Sequence, residues 1–456
     1  MKIATKLVRW ASLSLLIAFL QGSTTRGQAE PTPKYIFIFL ADGGSTTHLE
    51  IARLFNRRLH GEGLLITDRI MREGSLGLLT THALDLLVTD SAAAATALAS
   101  GCKTTTGTVG ICGDRSRPKT VLEIAKEKGM MIGLITNSTV YDASPAAFAS
   151  HVSTRRDYSS ILDQYLRLEP DLLLGGGRDH FLPRNQPGSR RSDTKDMIQA
   201  FRGRGYDVVS DRETLSGAGA RKLLGLFSRE VMSFEIDREK NETSLYDMTR
   251  EALRIFAEGK KGFVLFVENE HVDTAGHLTD LPALIQEIRA FDRAVALAYA
   301  FYKKHPTETL LLVTSDHDTG GVALTGRATF QDLEKIRSVR ISIAKAVEIL
   351  GEKPSSAALD RLLAQHFNAF TLEPDLREAI LKKKPVGPPF PSHPVAGALS
   401  AMVSRQTNAR WASTRHTNQP VFVAAVGPGA ERFRGYQDNT DFAKHLFALL
   451  RAKRSS

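Results

Sequence analysis

The chain has 456 residues, 42% of them hydrophobic, and a formal net charge of +10. That hydrophobic share can build a substantial core, which excludes a disordered chain or a collagen-like fibre. Lys2, Lys6, Arg9 and Arg26 fall within the first 29 residues with no acid among them, so the remainder carries only +6; its scattered cations, without interleaved aromatics, show no nucleic-acid-specific surface.

Residues 1–29 read as a secretory signal peptide: a basic start, an apolar run from Trp10 to Leu20, then the small residues Gly27 and Ala29 before Glu30. An exported protein, periplasmic or extracellular, is therefore expected. The run is too short to span a bilayer in a mature chain and no second one is longer, so no stable membrane anchor is expected.

The first predicted strand, KYIFIFLAD (34–42), ends in Asp42 and runs into Gly43, Gly44 and Ser45, which permit a sharp turn. LLVTDSAAAATALASG (86–101) sets Ser91 before an alanine-rich helix. Ser and Asp are preferred N-caps, so Ser91 read alone is a helix cap. Cys102 and Cys112 follow in SGCKTTTGTVGICG; a local disulfide worth about 2–3 kcal/mol and a pair of free buried thiols both fit that spacing.

Next come a helix over 119–129 and a strand over 131–137, then YDASPAAFASHVSTRRDY, which holds Asp142, Ser144, His151, Arg155 and Arg156. An arginine fork suits phosphate, although most arginines face solvent. Further apolar runs predict strands at 171–177, 262–269, 309–318 and 421–429, with a helix over 281–305. In FVENEHVDTAGH, Glu268 closes a strand, and the four-residue spacing of Asp273 and His277 puts both on one helical face. An acid and an imidazole there suit zinc, and Glu268 a harder ion such as magnesium; His271 reads as half of an exposed ion pair. Asp316 and His317 can reach one ion only if the chain turns at Gly320 and Gly321. His416 precedes the last strand and by itself reads as a surface histidine.

Uninterrupted apolar strands alternating with helices predict an α/β fold, a three-layer α/β/α sandwich with a large, mostly parallel central sheet. Residues 183–245 and 327–410 are expected to be peripheral insertions. Acids and histidines at strand ends mark a site, because ligands of open α/β sheets gather there. A serine at a helix N-terminus, Asp and His enough for two zinc-type ions, and an arginine together point to phosphoryl chemistry.

VTDSAAAATALASG followed by KTTTGTVG resembles the nucleophile segment of the alkaline phosphatase family. Agreement extends to DASPAAFASHVSTR, to the Glu268–Asp273–His277 spacing, to SDHDTGG, RHTN and DNTDFAKHL. The resemblance implies a single catalytic domain over 30–456, acting as a phosphomonoesterase through a phosphoserine at Ser91. It implies two zinc ions, one on Asp273, His277 and His416, the other on Asp42, Asp316, His317 and the Ser91 oxygen. It implies one magnesium ion on Asp42, Ser144 and Glu268, and a phosphate clamp of Arg155 aligned by Asp90, with Asp142 near the magnesium. A homodimer is implied too. Thr274 departs from the Lys, His or Trp of well-known members, Gly43–Ser45 from their usual turn, and Ser144 from a common Thr. A phosphodiesterase or phosphomutase on the same scaffold, and a non-catalytic metal or phosphate binder, are the competing expectations.

Overall fold

The computed structural model describes residues 32–219 and 221–452, so the signal-peptide reading of 1–29 lies outside the described residues. The first strand, β1 (Tyr35–Ala41), is buried along its whole length. Its side chains alternate between two cores: Phe37, Phe39 and Ala41 in one, Ile36, Ile38 and Leu40 in the other. A strand buried on both faces needs no polar alternation, which is why it reads as one continuous apolar run.

In chain order the remaining strands of the main sheet are β2 (Ser75–Leu79), β3 (Met131–Thr139), β4 (Leu172–Gly176), β5 (Asp207–Val209), β6 (Leu223–Leu226), β7 (Phe263–Asn269), β8 (Thr309–Thr314), β9 (Val421–Val426) and β10 (Gly435–Gln437). They form one sheet in the order β10-β2-β9-β8-β1-β7-β3-β4-β6-β5. Only β9 runs antiparallel to both of its neighbours, so the sheet is mostly parallel as expected. Helices α1 (Thr46–His60) and α8 (Leu281–Lys304) cover one face; α2 (Ser91–Ser100), α3 (Val121–Glu127), α4 (Ala143–Ala149), α5 (Tyr158–Leu168) and α10 (Asn439–Arg451) cover the other. Between these in sequence lie α6 (Leu245–Phe256), α7 (His271–His277) and α9 (Pro394–Thr407). No helix among the described residues is long and apolar enough to cross a membrane.

Two segments expected at the periphery contribute to the core. Residues 183–245 contain β5 and β6, which extend one edge of the sheet. Residues 327–410 contain α9, with Val395, Leu399 and Met402 buried in the larger core. β5 and β6 have only three and four residues, too short to show a period against polar flanks.

Register brings the strand ends together. Leu40 pairs with Glu268 of β7 on one side and Thr314 of β8 on the other, and Thr136 of β3 lies across from Glu268. Asp42, Glu268 and the Ser315–His317 turn therefore emerge at the same carboxyl edge.

Candidate active site

Asp42 follows β1 directly and is buried. Gly43 has φ +69°, and a Cβ there would sit 2.7 Å from the Asp273 Cα. Glycine is therefore what lets the turn after β1 close against α7. The Gly43 N–H also donates to Asp316 Oδ1 at 3.1 Å, which binds that turn to the one after β8.

Helix α7 does what the spacing predicts: His277 Nε2 lies 3.1 Å from Asp273 Oδ2. His416 Nε2 lies 3.4 Å from Asp273 Oδ1 and 3.2 Å from His277 Nε2. A short antiparallel pairing of His416–Thr417 with Asp318–Thr319 carries His416 there. Read alone as a surface histidine, His416 is instead drawn in by this pairing, a long-range contact that no local pattern encodes. His317 stacks on His416 with ring centroids 3.6 Å apart. Its Nε2 lies 3.2 Å from Asp316 Oδ2, 3.5 Å from Asp42 Oδ1 and 3.2 Å from Ser91 Oγ.

Among the described residues, two groups, Asp273–His317–His416 and Asp42–Asp316–His317, each gather their potential ligand atoms within 4.8 Å of one another. His317 thus stands between them, and His277 joins the first through Asp273 and His416. On the far side of Asp42, the Ser144 hydroxyl donates to Asp42 Oδ2 at 3.1 Å and Thr136 donates to Glu268 Oε2 at 2.5 Å. Those groups form an all-oxygen neighbourhood.

The donor set fits cations. His277 Nδ1 and His416 Nδ1 meet the carbonyls of Thr414 and Thr89 at 2.7 and 2.9 Å, and a carbonyl requires an N–H there. In the neutral rings both Nε2 lone pairs then face each other. Asp42 Oδ1 and Asp316 Oδ2 are buried without a hydrogen-bond donor. Burial, then repulsion from Asp316, Asp273 and Glu268, pushes the Asp42 carboxyl well above its usual range. Burial and Asp273 push Asp316 up to about 7, and burial with Asp142 raises Glu268. Burial and the nearby His416 hold His317 well below the ordinary imidazole value, hence neutral. Carboxylates crowded this closely in a dry site call for positive charge among them.

Ser91 corrects one expectation. The N-cap of α2 is Asp90, whose carboxylate accepts the Ala93 N–H at 3.0 Å, and Ser91 is the first helical residue. Its side chain is thereby released from capping and turned toward His317. Beyond it, Arg155 donates to Asp142 Oδ1 at 2.9 Å and to Asp90 Oδ2 at 3.4 Å. Asp142, expected near the magnesium position, is thus also the shorter partner of Arg155; Ser138 holds its other oxygen at 2.8 Å. Arg156 is exposed. His151 is spent on Gly110 and Glu123.

His271 is a second correction. It is buried, bridging Glu270 at 3.0 Å and the Met232 carbonyl at 2.8 Å, with the Phe234 ring packed on it at a centroid distance of 4.6 Å. Thr274 donates to Glu270 Oε1 at 2.7 Å. Thr136, Ser138 and Thr319, which support Glu268, Asp142 and Asp273, went unnoticed in the sequence. Hydroxyls at buried strand ends carry no distinguishing local signal.

A mostly parallel α/β sheet whose carboxyl edge gathers a buried serine, crowded carboxylates, imidazoles and an arginine fork defines a metal-dependent phosphatase class. The chain belongs to the alkaline phosphatase family, whose profile matches residues 33–452. Alkaline phosphatase 3 of Bacillus subtilis (strain 168) is 34% identical over 379 residues, covering 80% of this chain and 77% of that protein. Streptomycin-6-phosphate phosphatase of Streptomyces griseus is 31% identical, with 96% of each chain covered. The crystal structure of Thermus thermophilus alkaline phosphatase superimposes with a TM-score of 0.84 at 31% identity, over 94% of each chain. By that membership the protein is a phosphatase.

Proposed function

We propose that this protein hydrolyses phosphate monoesters by two successive displacements at phosphorus, through a phosphoserine at Ser91. The observation that carries the reading is the position of Ser91 Oγ. It lies at the start of α2, 3.2 Å from His317 Nε2 of the carboxylate–imidazole cluster, and follows directly on Asp90, whose carboxylate accepts from Arg155 at 3.4 Å. A helix N-terminus favours the anion that Ser91 must attack. Arg155, held by Asp90 and Asp142, presents its fork to two phosphoryl oxygens. That preference suits monoesters, which have more free oxygens than diesters.

Asp273, His277 and His416 would hold one zinc ion; Asp42, Asp316, His317 and the Ser91 oxygen a second. Asp42, Ser144 and Glu268 would hold magnesium. Bound ions supply Lewis acidity that activates the serine and water and offsets charge on the leaving oxygen. Ser91 forms the bond to phosphorus as the alcohol departs; water then breaks the Ser91–phosphorus bond, releasing inorganic phosphate and restoring the hydroxyl.

Purified protein supplied with zinc and magnesium is expected to turn over an aryl phosphate far better than a bis-aryl phosphate, and Ser91→Ala to turn over neither. Metal-independent turnover, or a marked diester preference, overturns the reading. Export is inferred as well, supported by the Cys102–Cys112 disulfide, which suits an oxidising compartment. Cell fractionation with N-terminal sequencing tests it: a chain processed near residue 29 outside the cytoplasm is expected, and an unprocessed chain confined to the cytoplasm is the contrary result.

A further inference from the structure

The loop between Cys102 and Cys112 reaches into the arginine clamp. These cysteines form a disulfide. Between them, Gly107 donates its N–H to Asp90 Oδ2 at 3.0 Å, and its carbonyl accepts the backbone N–H of Arg155 at 2.7 Å. The Asp90 carboxylate and the Arg155 backbone thus meet on one residue, through the peptides on either side of its Cα, at φ +80°. The loop's two halves attach to different segments. Thr106 gives its N–H and its hydroxyl to Asp85, both at 3.0 Å, on the stretch leading to Asp90 and Ser91. Val109 exchanges backbone hydrogen bonds of 3.0 and 2.9 Å with Val152, on the stretch leading to Arg155. The loop therefore bridges the nucleophile segment and the arginine segment, and the disulfide fixes its ends.

We propose that the Cys102–Cys112 disulfide, acting through Gly107, sets the phosphate affinity of the Arg155 clamp. The proposal rests on the reading of Arg155 as a phosphate ligand. Reduction by a dithiol breaks the S–S bond and delivers two electrons and two protons to give two thiols, while the dithiol becomes a cyclic disulfide. The opened loop regains chain entropy, and Gly107 ceases to hold the Asp90 carboxylate and the Arg155 backbone in one orientation. Among the described residues, 102–112 make no hydrogen bond to the carboxylates and imidazoles of the ion cluster. Opening the loop therefore weakens phosphate binding and spares the ions. Gly107 and the two cysteines are positioning residues, since none of them touches the substrate.

The test compares the holoenzyme with Cys102→Ser/Cys112→Ser and with dithiol-reduced parent resupplied with zinc and magnesium. KM for an aryl phosphate and Ki for inorganic phosphate are expected to rise about three- to tenfold, with kcat within about twofold and metal content unchanged. In an Arg155→Ala background, loss of the disulfide changes neither constant further. Unchanged KM and Ki in an active double variant overturn the proposal, as does a rise that persists undiminished without Arg155. Should the double variant fail to fold, Gly107→Ala decides. A Cβ there meets nothing within 4 Å, so the substitution acts only through the positive φ. It must reproduce the rise with the disulfide intact. Phosphate binding is read separately by calorimetry: a parent that binds phosphate without hydrolysing esters contradicts the catalytic reading and leaves this test standing.

Discussion

The two halves of the site solve the problem of buried charge differently. Around Arg155, charge is balanced by the chain itself: the guanidinium has Asp90 and Asp142, and about a third of its surface meets water. Around His317 it is not. Asp42 and Asp316 each keep a buried oxygen without a donor, and Asp273 is shared between two imidazoles. The clamp is therefore organised before any ligand arrives, whereas the cluster depends on cations for its neutrality. Stability and activity should respond to ions through one half and to phosphate through the other.

Removing the ions with a chelator should break that contrast most forcefully. Turnover is expected to vanish and the melting temperature to fall, both restored by zinc and magnesium; a chelated protein with unchanged melting would show that the cluster needs no cation. Asp316→Ala or His317→Ala should cost about a thousandfold or more in kcat/KM and lower the zinc content, measured by elemental analysis. Arg155→Ala should act on the other half alone: about ten- to a hundredfold in kcat/KM, with zinc content unchanged.

The contrast also predicts a pH dependence. Burial works to lower the His277 value, but its hydrogen bond to Asp273 prevails and holds it up at about 9 in the ion-free protein. The folded value lies above the unfolded value of about 6.5, so this contribution stabilises the ion-free fold below about pH 6.5 and is lost as pH rises through about 9. Zinc must displace the same proton, so zinc affinity should rise with pH across that window, with proton release seen by calorimetry in buffers of different ionisation enthalpy. A pH-independent affinity would remove His277 from the ligand set. The smallest effect is expected from Thr274→Gly, which frees Glu270 Oε1 without touching Arg155. A change of less than about threefold in KM is predicted, and a larger one would make Glu270 part of the clamp.

Much of this was legible before the structure. The long strands β1, β3, β7, β8 and β9 are buried on both faces and print continuous apolar runs. β2 did not, because it alternates buried and exposed positions around Gly77 beside the short edge strand β10. The Asp273–His277 pair was visible because helical spacing is local. That His317 stands between both ligand groups was not: its stacking on His416 depends on a pairing across 99 residues, Thr417 to Asp318. Ser91 read alone is a cap because either residue of Asp-Ser can cap a helix, and only the Asp90 hydrogen bond to Ala93 assigns the cap to Asp90.

The central claim is that Ser91 Oγ is the atom that takes the phosphoryl group. The direct test is to quench the holoenzyme in acid during turnover of an aryl phosphate and map phosphorylation by peptide mass spectrometry. Phosphoserine at Ser91, absent from Ser91→Ala and from chelated protein, is the predicted result; steady turnover with no phosphorylated Ser91 peptide would contradict it.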